Sequence, residues 1–207
     1  MVEPYEDTHT KGSTAFTAQE LAEVIKKLNE EGLDLHLHTV GDAASRVVLD
    51  AVELARRELG ENYHVKVTCA HLKFQHDDDL DRFAKLGVFA NYTPFWHCEF
   101  PEEHLPLFGE KRTFNMYRCK SVWDTGAVVT WSSDTISFLD FTAWNPYLGM
   151  EVGMTRWITE KTRLPEFART PEAFPPASEC MSVEEMILGY TIKAKIGRAV
   201  QQECRDR

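Results

Sequence analysis

The chain lacks a long apolar run, a Cys-x-x-Cys pair and a cluster of basic residues. Without about 18 consecutive apolar residues, no membrane-spanning helix is expected. The cysteines are five in number and scattered, and an odd count without close pairs is typical of reduced thiols rather than of a disulfide framework. The acidic start of the sequence differs from a secretory signal. We therefore expect a cytoplasmic protein that does not contact membranes.

The charge balance disfavours a nucleic-acid surface. The 207 residues carry a formal net charge of −10, and no Lys/Arg cluster offsets it. With 43% hydrophobic and 27% charged residues, the composition is typical of a folded protein with a substantial core. Internal repeats and low-complexity segments are also absent from the sequence. The length predicts one substantial domain or two small ones.

Helical and strand patterns alternate along the chain. The predicted helices cover 18–31, 42–59, 77–86, 117–123, 146–157 and 182–193, and the predicted strands cover 33–38, 65–71, 88–93 and 128–134. Such alternation predicts a parallel sheet with crossover helices, and hence the α/β class. Residues 95–112 are aromatic and irregular, which favours a long loop that forms a lid or pocket wall.

Helix starts are marked by local capping patterns. Thr17 with Glu20 three residues later predicts a capping box, and Gly32 predicts the end of the same helix. A second capping pattern begins at Ser182. We also expect Asp42 to cap the helix that follows it.

Three polar residues close three of the predicted strands. They are His38, His71 and Asp134. In a β/α barrel the carboxyl ends of the strands converge on one face, which holds the chemistry. The spacing places the two histidines on adjacent strands and the aspartate on the strand after next. Two neutral imidazoles and one carboxylate are a suitable ligand set for a divalent metal such as zinc.

The remaining histidines leave alternatives open. His36 shares a strand face with His38, and it is either a further ligand or a residue of the barrel core. We expect His64, His76, His97 and His104 to lie solvated in turns or in the long loop. Of these, His97 is a candidate substrate contact. A single strand-end histidine is more often structural than a ligand, so the metal hypothesis depends on all three strand ends together.

The motifs resemble those of a known superfamily. Matching stretches run from His38-Thr39-Val40-Gly41-Asp42 through His71, Leu86-Gly87-Val88, Pro94, Thr125-Gly126 and Ser132-Ser133-Asp134 to Tyr190-Thr191-Ile192. In this order they resemble the amidohydrolase superfamily, specifically amidohydrolase family 3, the branch that contains N-substituted formamide deformylase. The resemblance implies a (β/α)8 TIM barrel with a metal centre. It maps His38, His71 and Asp134 to the ligands of strands five, six and eight.

Spacing decides which part of that barrel the chain resembles. His36-x-His38 also looks like the superfamily's first-strand HxH signature, but 96 residues separate His38 from Asp134, enough for about three βα units of roughly 30 residues. We therefore expect a partial barrel, strands five to eight, as the C-terminal half of an amidohydrolase over residues 1–200, with a polar tail at 201–207. The first-strand histidines and the fourth-strand lysine of the family are absent. The missing half is expected from a longer parent chain or from a second copy in a homo-oligomer.

The resemblance implies hydrolysis of a carbon–nitrogen bond in a small-molecule amide or formamide, with zinc the expected metal. In that family the aspartate also takes the proton from the water that the metal activates. One alternative is a catalytically silent remnant that serves only as a fold or oligomerisation module. Another is a related barrel that deaminates a ring substrate.

Overall fold

The computed structural model describes residues 1–134, 144–159 and 170–194. Helices and strands alternate through these ranges in the order α1 (Ala18–Glu31), β1 (Leu35–Thr39), α2 (Asp42–Leu59), β2 (Val67–His71), α3 (Arg82–Leu86), β3 (Phe89–Tyr92), α4 (Pro101–Thr113), α5 (Cys119–Asp124), β4 (Val129–Trp131), α6 (Pro146–Thr155) and α7 (Val183–Tyr190). The expected polar tail at 201–207 falls outside the described residues.

The four strands form one parallel sheet in the order β1-β2-β3-β4. This confirms the predicted α/β class and parallel sheet. The strands that precede the two histidines are neighbours, as predicted from their spacing. The strand that precedes Asp134 lies two positions beyond β2, also as predicted. In the described part of the chain, β1 and β4 are the edges of the sheet.

The helices cover one face of the sheet and bury the core there. Val67, Cys69, Tyr92 and Trp131 point into this layer and are buried, Trp131 against α7. On β1 the burial alternates with period two, so that His36 and His38 lie exposed on the other face. His36 is exposed because no described element covers it, and both interpretations of this residue, as a further ligand and as a residue of the barrel core, stay predictions.

Capping follows the local pattern at α1 and α7 but not at α2. Thr17 and Glu20 form the predicted capping box, and Ser182 forms another with Glu185. The prediction for Asp42 is wrong, because Gly41 is the N-cap residue and Asp42 is the first residue of α2. The Asp42 carboxylate instead accepts hydrogen bonds at 2.8 Å from the backbone N–H groups of Val2 and Ala43. It thereby holds the start of the chain at Val2 against the first turn of α2.

The largest difference from the sequence prediction is α4, which replaces much of the expected loop at 95–112. Pro101 occupies the first turn, where its missing N–H is tolerated. Glu102 and Arg112 suit the helix dipole at opposite ends. The backbone leaves helical geometry at Gly109, with φ 70° and ψ 171°. A glycine inside a helical segment weakens the sequence pattern that would predict a helix.

Other elements are shorter than predicted. The segment 77–86 divides into a 3-10 turn, Asp77–Asp79, and the short helix α3. β4 ends at Trp131, three residues before Asp134. No helix in the described ranges combines the length and the apolar character that crossing a membrane requires.

Gly189 lets α7 approach β4 closely. A Cβ atom at this position would lie 2.2 Å from Nε1 of Trp131, and that indole N–H faces the Glu185 carbonyl at 3.4 Å. We expect Gly189→Ala to lower the free energy of unfolding by about 1–3 kcal/mol through overpacking, measured by urea denaturation. Alanine normally stabilises a helix interior by about 1 kcal/mol relative to glycine. If Gly189→Ala is more stable than the wild type, the Trp131 side chain can move aside without cost. Glu184→Ala, on the exposed side of α7, is the control.

Candidate active site

His38 and His71 meet at the carboxyl edge of β1 and β2. Nδ1 of His38 lies 2.5 Å from Nε2 of His71, and the ring centroids are 4.7 Å apart. In the sheet register His71 pairs with the buried Thr39 rather than with His38. Regular alternation would thus direct His71 toward the helices. Its φ of 74° breaks the alternation and turns the imidazole toward His38.

The two imidazoles differ in their surroundings. His38 is exposed, whereas His71 is 5% exposed and is stacked on the indole of Trp96 with centroids 4.9 Å apart. Nδ1 of His71 is buried and has no hydrogen-bond partner among the described residues. A buried ring nitrogen without a partner is uncommon in a structural histidine. The core residue His97 also has such a nitrogen, so it is the convergence of the two rings that makes the pair a candidate binding site.

Asp134 lies on the same side of the sheet, close enough to act on the imidazoles electrostatically. Burial lowers the pKa of His71 and of His36, and the Asp134 carboxylate only partly offsets this, so that both pKa values stay below the ordinary value. The neutral imidazole that results is the form that donates a lone pair. Asp134 is half-buried, and its φ is 48°.

A line of hydrogen bonds leads from β3 to the segment before Asp134. The Asn91 amide N–H donates to Thr130 Oγ1 at 2.8 Å, and the Ser132 hydroxyl donates to Asn91 Oδ1 at 2.7 Å. Ser132 also donates its backbone N–H to the Tyr92 carbonyl at 2.9 Å. These bonds fix the course of the chain toward Asp134. The sequence gives no signal for Asn91, because its role depends on strand pairing.

The donor chemistry of the pair fits a divalent metal, but the set is incomplete. Two imidazole nitrogens converge, and zinc binds such ligands at about 2.0–2.1 Å. Across residues 1–134, 144–159 and 170–194, however, no three His, Cys, Asp or Glu side chains are spaced to hold a metal ion. The structure thus brings His38 and His71 together. The assignment of Asp134 as a third ligand stays a prediction.

His97 lies in the core rather than in a solvated loop, which corrects the sequence-based expectation for its position. It is 0% exposed, and its ring is stacked on Tyr117 with centroids 4.9 Å apart. Burial, with Arg156 nearby, holds its pKa well below the ordinary value. A substrate contact for His97 stays a prediction, and complete burial argues against it.

Comparison with known proteins identifies the family. The model of the amidohydrolase family matches residues 1–195, and the chain belongs to this family. It is 25% identical over 192 residues to the putative amidohydrolase YtcJ of Bacillus subtilis (strain 168), a match that covers 91% of this chain and 33% of the relative. The superfamily prediction is therefore confirmed. The formamide deformylase branch stays a prediction.

Two solved structures share the fold. They are uncharacterized metal-dependent hydrolases from Pyrococcus furiosus and Pyrococcus horikoshii OT3, with TM-scores of 0.70 and 0.69 and identities of 24% and 23%. Each match covers 92% of this chain and 35% of the other. The chain thus spans about a third of the length of the relatives that it matches.

Proposed function

We propose that this chain forms part of a metal-dependent hydrolase that cleaves carbon–nitrogen bonds in non-peptide amides. The observation that supports the proposal best is the His38–His71 pair, whose ring nitrogens face each other at 2.5 Å. Membership of the amidohydrolase family supports the reaction class. Because the chain spans about a third of its relatives, the activity of the complete assembly is part of the proposal.

The residues take distinct roles in this proposal. His38 and His71 would hold the metal, which we propose to be zinc, through their imidazole nitrogens. When bound, a divalent cation polarises a carbonyl oxygen and lowers the pKa of water toward about 7. Asp134 accepts the proton of the attacking water and delivers it to the leaving nitrogen. Trp96 holds the His71 ring in place by stacking on it.

We also propose that the sheet is strands five to eight of a (β/α)8 barrel. Its support is the exposed face of β1, where His36 and His38 have no covering element among the described residues, together with the two sheet edges. Such edges pair readily with further strands. The remaining strands would come from a longer chain or from a second copy, and they would bring further ligands to the metal.

Zinc content tests the site directly. After zinc loading and dialysis, we expect roughly one ion per wild-type chain by elemental analysis. His38→Ala and His71→Ala should each weaken zinc binding by more than about 100-fold, because loss even of an outer partner of a ligand approaches that effect. His64→Ala, at an exposed histidine, is the matched control. Wild-type protein without zinc, or unchanged binding in both variants, would favour the catalytically silent alternative.

A further inference from the structure

A cavity of about 460 Å³ is lined in part by Trp96, the residue that is stacked on His71. Its apolar lining consists of Val40, Phe95, Trp96, Phe100 and Ile158. The volume lies in the range of small-molecule sites, roughly 300–1,000 Å³. Aromatic and branched side chains dominate the wall, and such walls favour uncharged groups of similar shape.

Two residues connect the cavity with the candidate active site. Trp96 lines the cavity and is also stacked on the His71 ring, with the two planes 15° apart. Val40 lines the cavity two residues after His38. A group held in the cavity would therefore lie against the residues that adjoin the imidazole pair.

The charged residues of the lining neutralise each other. Nζ of Lys73 lies 2.7 Å from Oε1 of Glu99, and the Tyr117 hydroxyl donates to the same oxygen at 2.5 Å. His104 Nε2 lies 2.9 Å from the other carboxylate oxygen. Burial raises the pKa of Glu99, but Lys73 and these hydrogen bonds outweigh it and hold the pKa below the ordinary value. Glu99 is thus an ionised, fully partnered group.

The one thiol of the lining is uncharged as well. Burial raises the pKa of Cys98 to about 12, so this side chain stays neutral at physiological pH. Among the described lining residues, no charge is left to pair with an ionic ligand. A charged substituent would lose its hydration without gaining a partner.

We propose that this cavity is the specificity pocket of the site and takes an uncharged aromatic or bulky aliphatic substituent of an amide substrate. The inference rests on the proposed function for the identity of the reacting bond, and it adds the class of substituent. The pocket also assigns roles that the sequence did not indicate. Trp96 positions both His71 and the substituent. The Lys73–Glu99 ion pair forms the polar part of the cavity wall.

Binding of unreacted probes to the full chain, without metal, tests the pocket. Titrations by saturation-transfer NMR would compare acetanilide, N-methylacetamide and 4-acetamidobenzoate. We expect acetanilide to bind at least about tenfold more tightly than N-methylacetamide, because it buries a phenyl ring. The carboxylate probe should bind more weakly than acetanilide. Equal affinity for all three probes would overturn the proposal.

A variant in which a larger side chain fills the cavity tests the assignment against a matched variant elsewhere on the surface. Val40 is 44% exposed and Val183, on α7, is 55% exposed, so both positions accommodate a larger side chain. Val40→Trp should weaken acetanilide binding by about tenfold or more, whereas Val183→Trp should leave it unchanged. Acetanilide binding that is unaffected by Val40→Trp would contradict the assignment.

The two proposals fail in different ways. Wild-type protein that binds zinc but does not discriminate between the probes would refute the pocket and leave the hydrolase proposal in place. Discrimination between the probes without any zinc binding would refute the metal site of the hydrolase proposal and leave the pocket in place. Zinc content of Val40→Trp equal to that of the wild type confirms that the substitution acts on the pocket alone.

Discussion

Asp134→Asn is expected to lower kcat for amide hydrolysis by about 10²–10⁴-fold, the usual contribution of a general base. The asparagine amide has the same shape as the carboxylate but cannot accept the proton of the attacking water. Asp134 has a φ of 48°, and asparagine tolerates this left-handed conformation as well as aspartate does. The fold should therefore persist. Release of 4-nitroaniline from 4-nitroacetanilide by the zinc-loaded chain measures the effect.

A second aspartate separates the loss of the base from the loss of charge. Asp78 lies in the 3-10 turn Asp77–Asp79, and its side chain is 79% exposed. Asp78→Asn removes the same charge far from any catalytic role and should keep full activity. Full activity in Asp134→Asn would show that another group accepts the proton. A wild-type chain that releases no product at any zinc concentration would contradict hydrolysis by this chain alone.

Arg156→Met is expected to lower the free energy of unfolding by about 3–5 kcal/mol, because it leaves several buried backbone carbonyls without their hydrogen-bond donor. Arg156 is 0% exposed. Its guanidinium donates to the carbonyls of Phe174 at 2.9 Å, Met116 at 3.0 Å and Tyr117 at 3.2 Å, and also to that of Pro175 at 3.2 Å. Methionine fills similar space but leaves these acceptors unsatisfied, and each such group costs about 1–3 kcal/mol.

Guanidinium chloride unfolding measures this loss against two references. Arg57→Met, at an exposed position of α2, should change stability by no more than about 0.5 kcal/mol. Arg156→Lys keeps the charge but not the planar fork that reaches several carbonyls, so we expect an intermediate loss. If Arg156→Met is as stable as the wild type, the connection between α6 and the segments at 116–117 and 174–175 is not supported by this side chain.

Features encoded by neighbouring residues were predictable from the sequence. The capping boxes at Thr17 and Ser182 depend on residues three positions apart. The sheet order follows from the alternation of helices and strands. The same reasoning placed His38 and His71 on adjacent strands, and the structure brings their rings together.

Features that depend on distant contacts or on single backbone angles were not predictable. The burial of His97 arises from Tyr117 and Cys119, which follow it by about twenty residues. The stacking of Trp96 on His71 likewise joins separate elements. No pattern in the sequence indicates that φ becomes positive at His71. Sequence spacing thus locates the candidate site along the chain, while the orientation of its side chains depends on the tertiary structure.

The left-handed backbone at His71, Leu72 and Asp134 lowers the stability of the fold at the residues of the proposed site. A non-glycine residue in this conformation is disfavoured by roughly 1–2 kcal/mol, less for aspartate. Glycine at position 71 or 134 would relieve that strain and, in the same step, delete a side chain of the proposed site. Selection of variants for thermal tolerance alone should therefore replace these residues with glycine first, and selection for turnover should restore the original side chains.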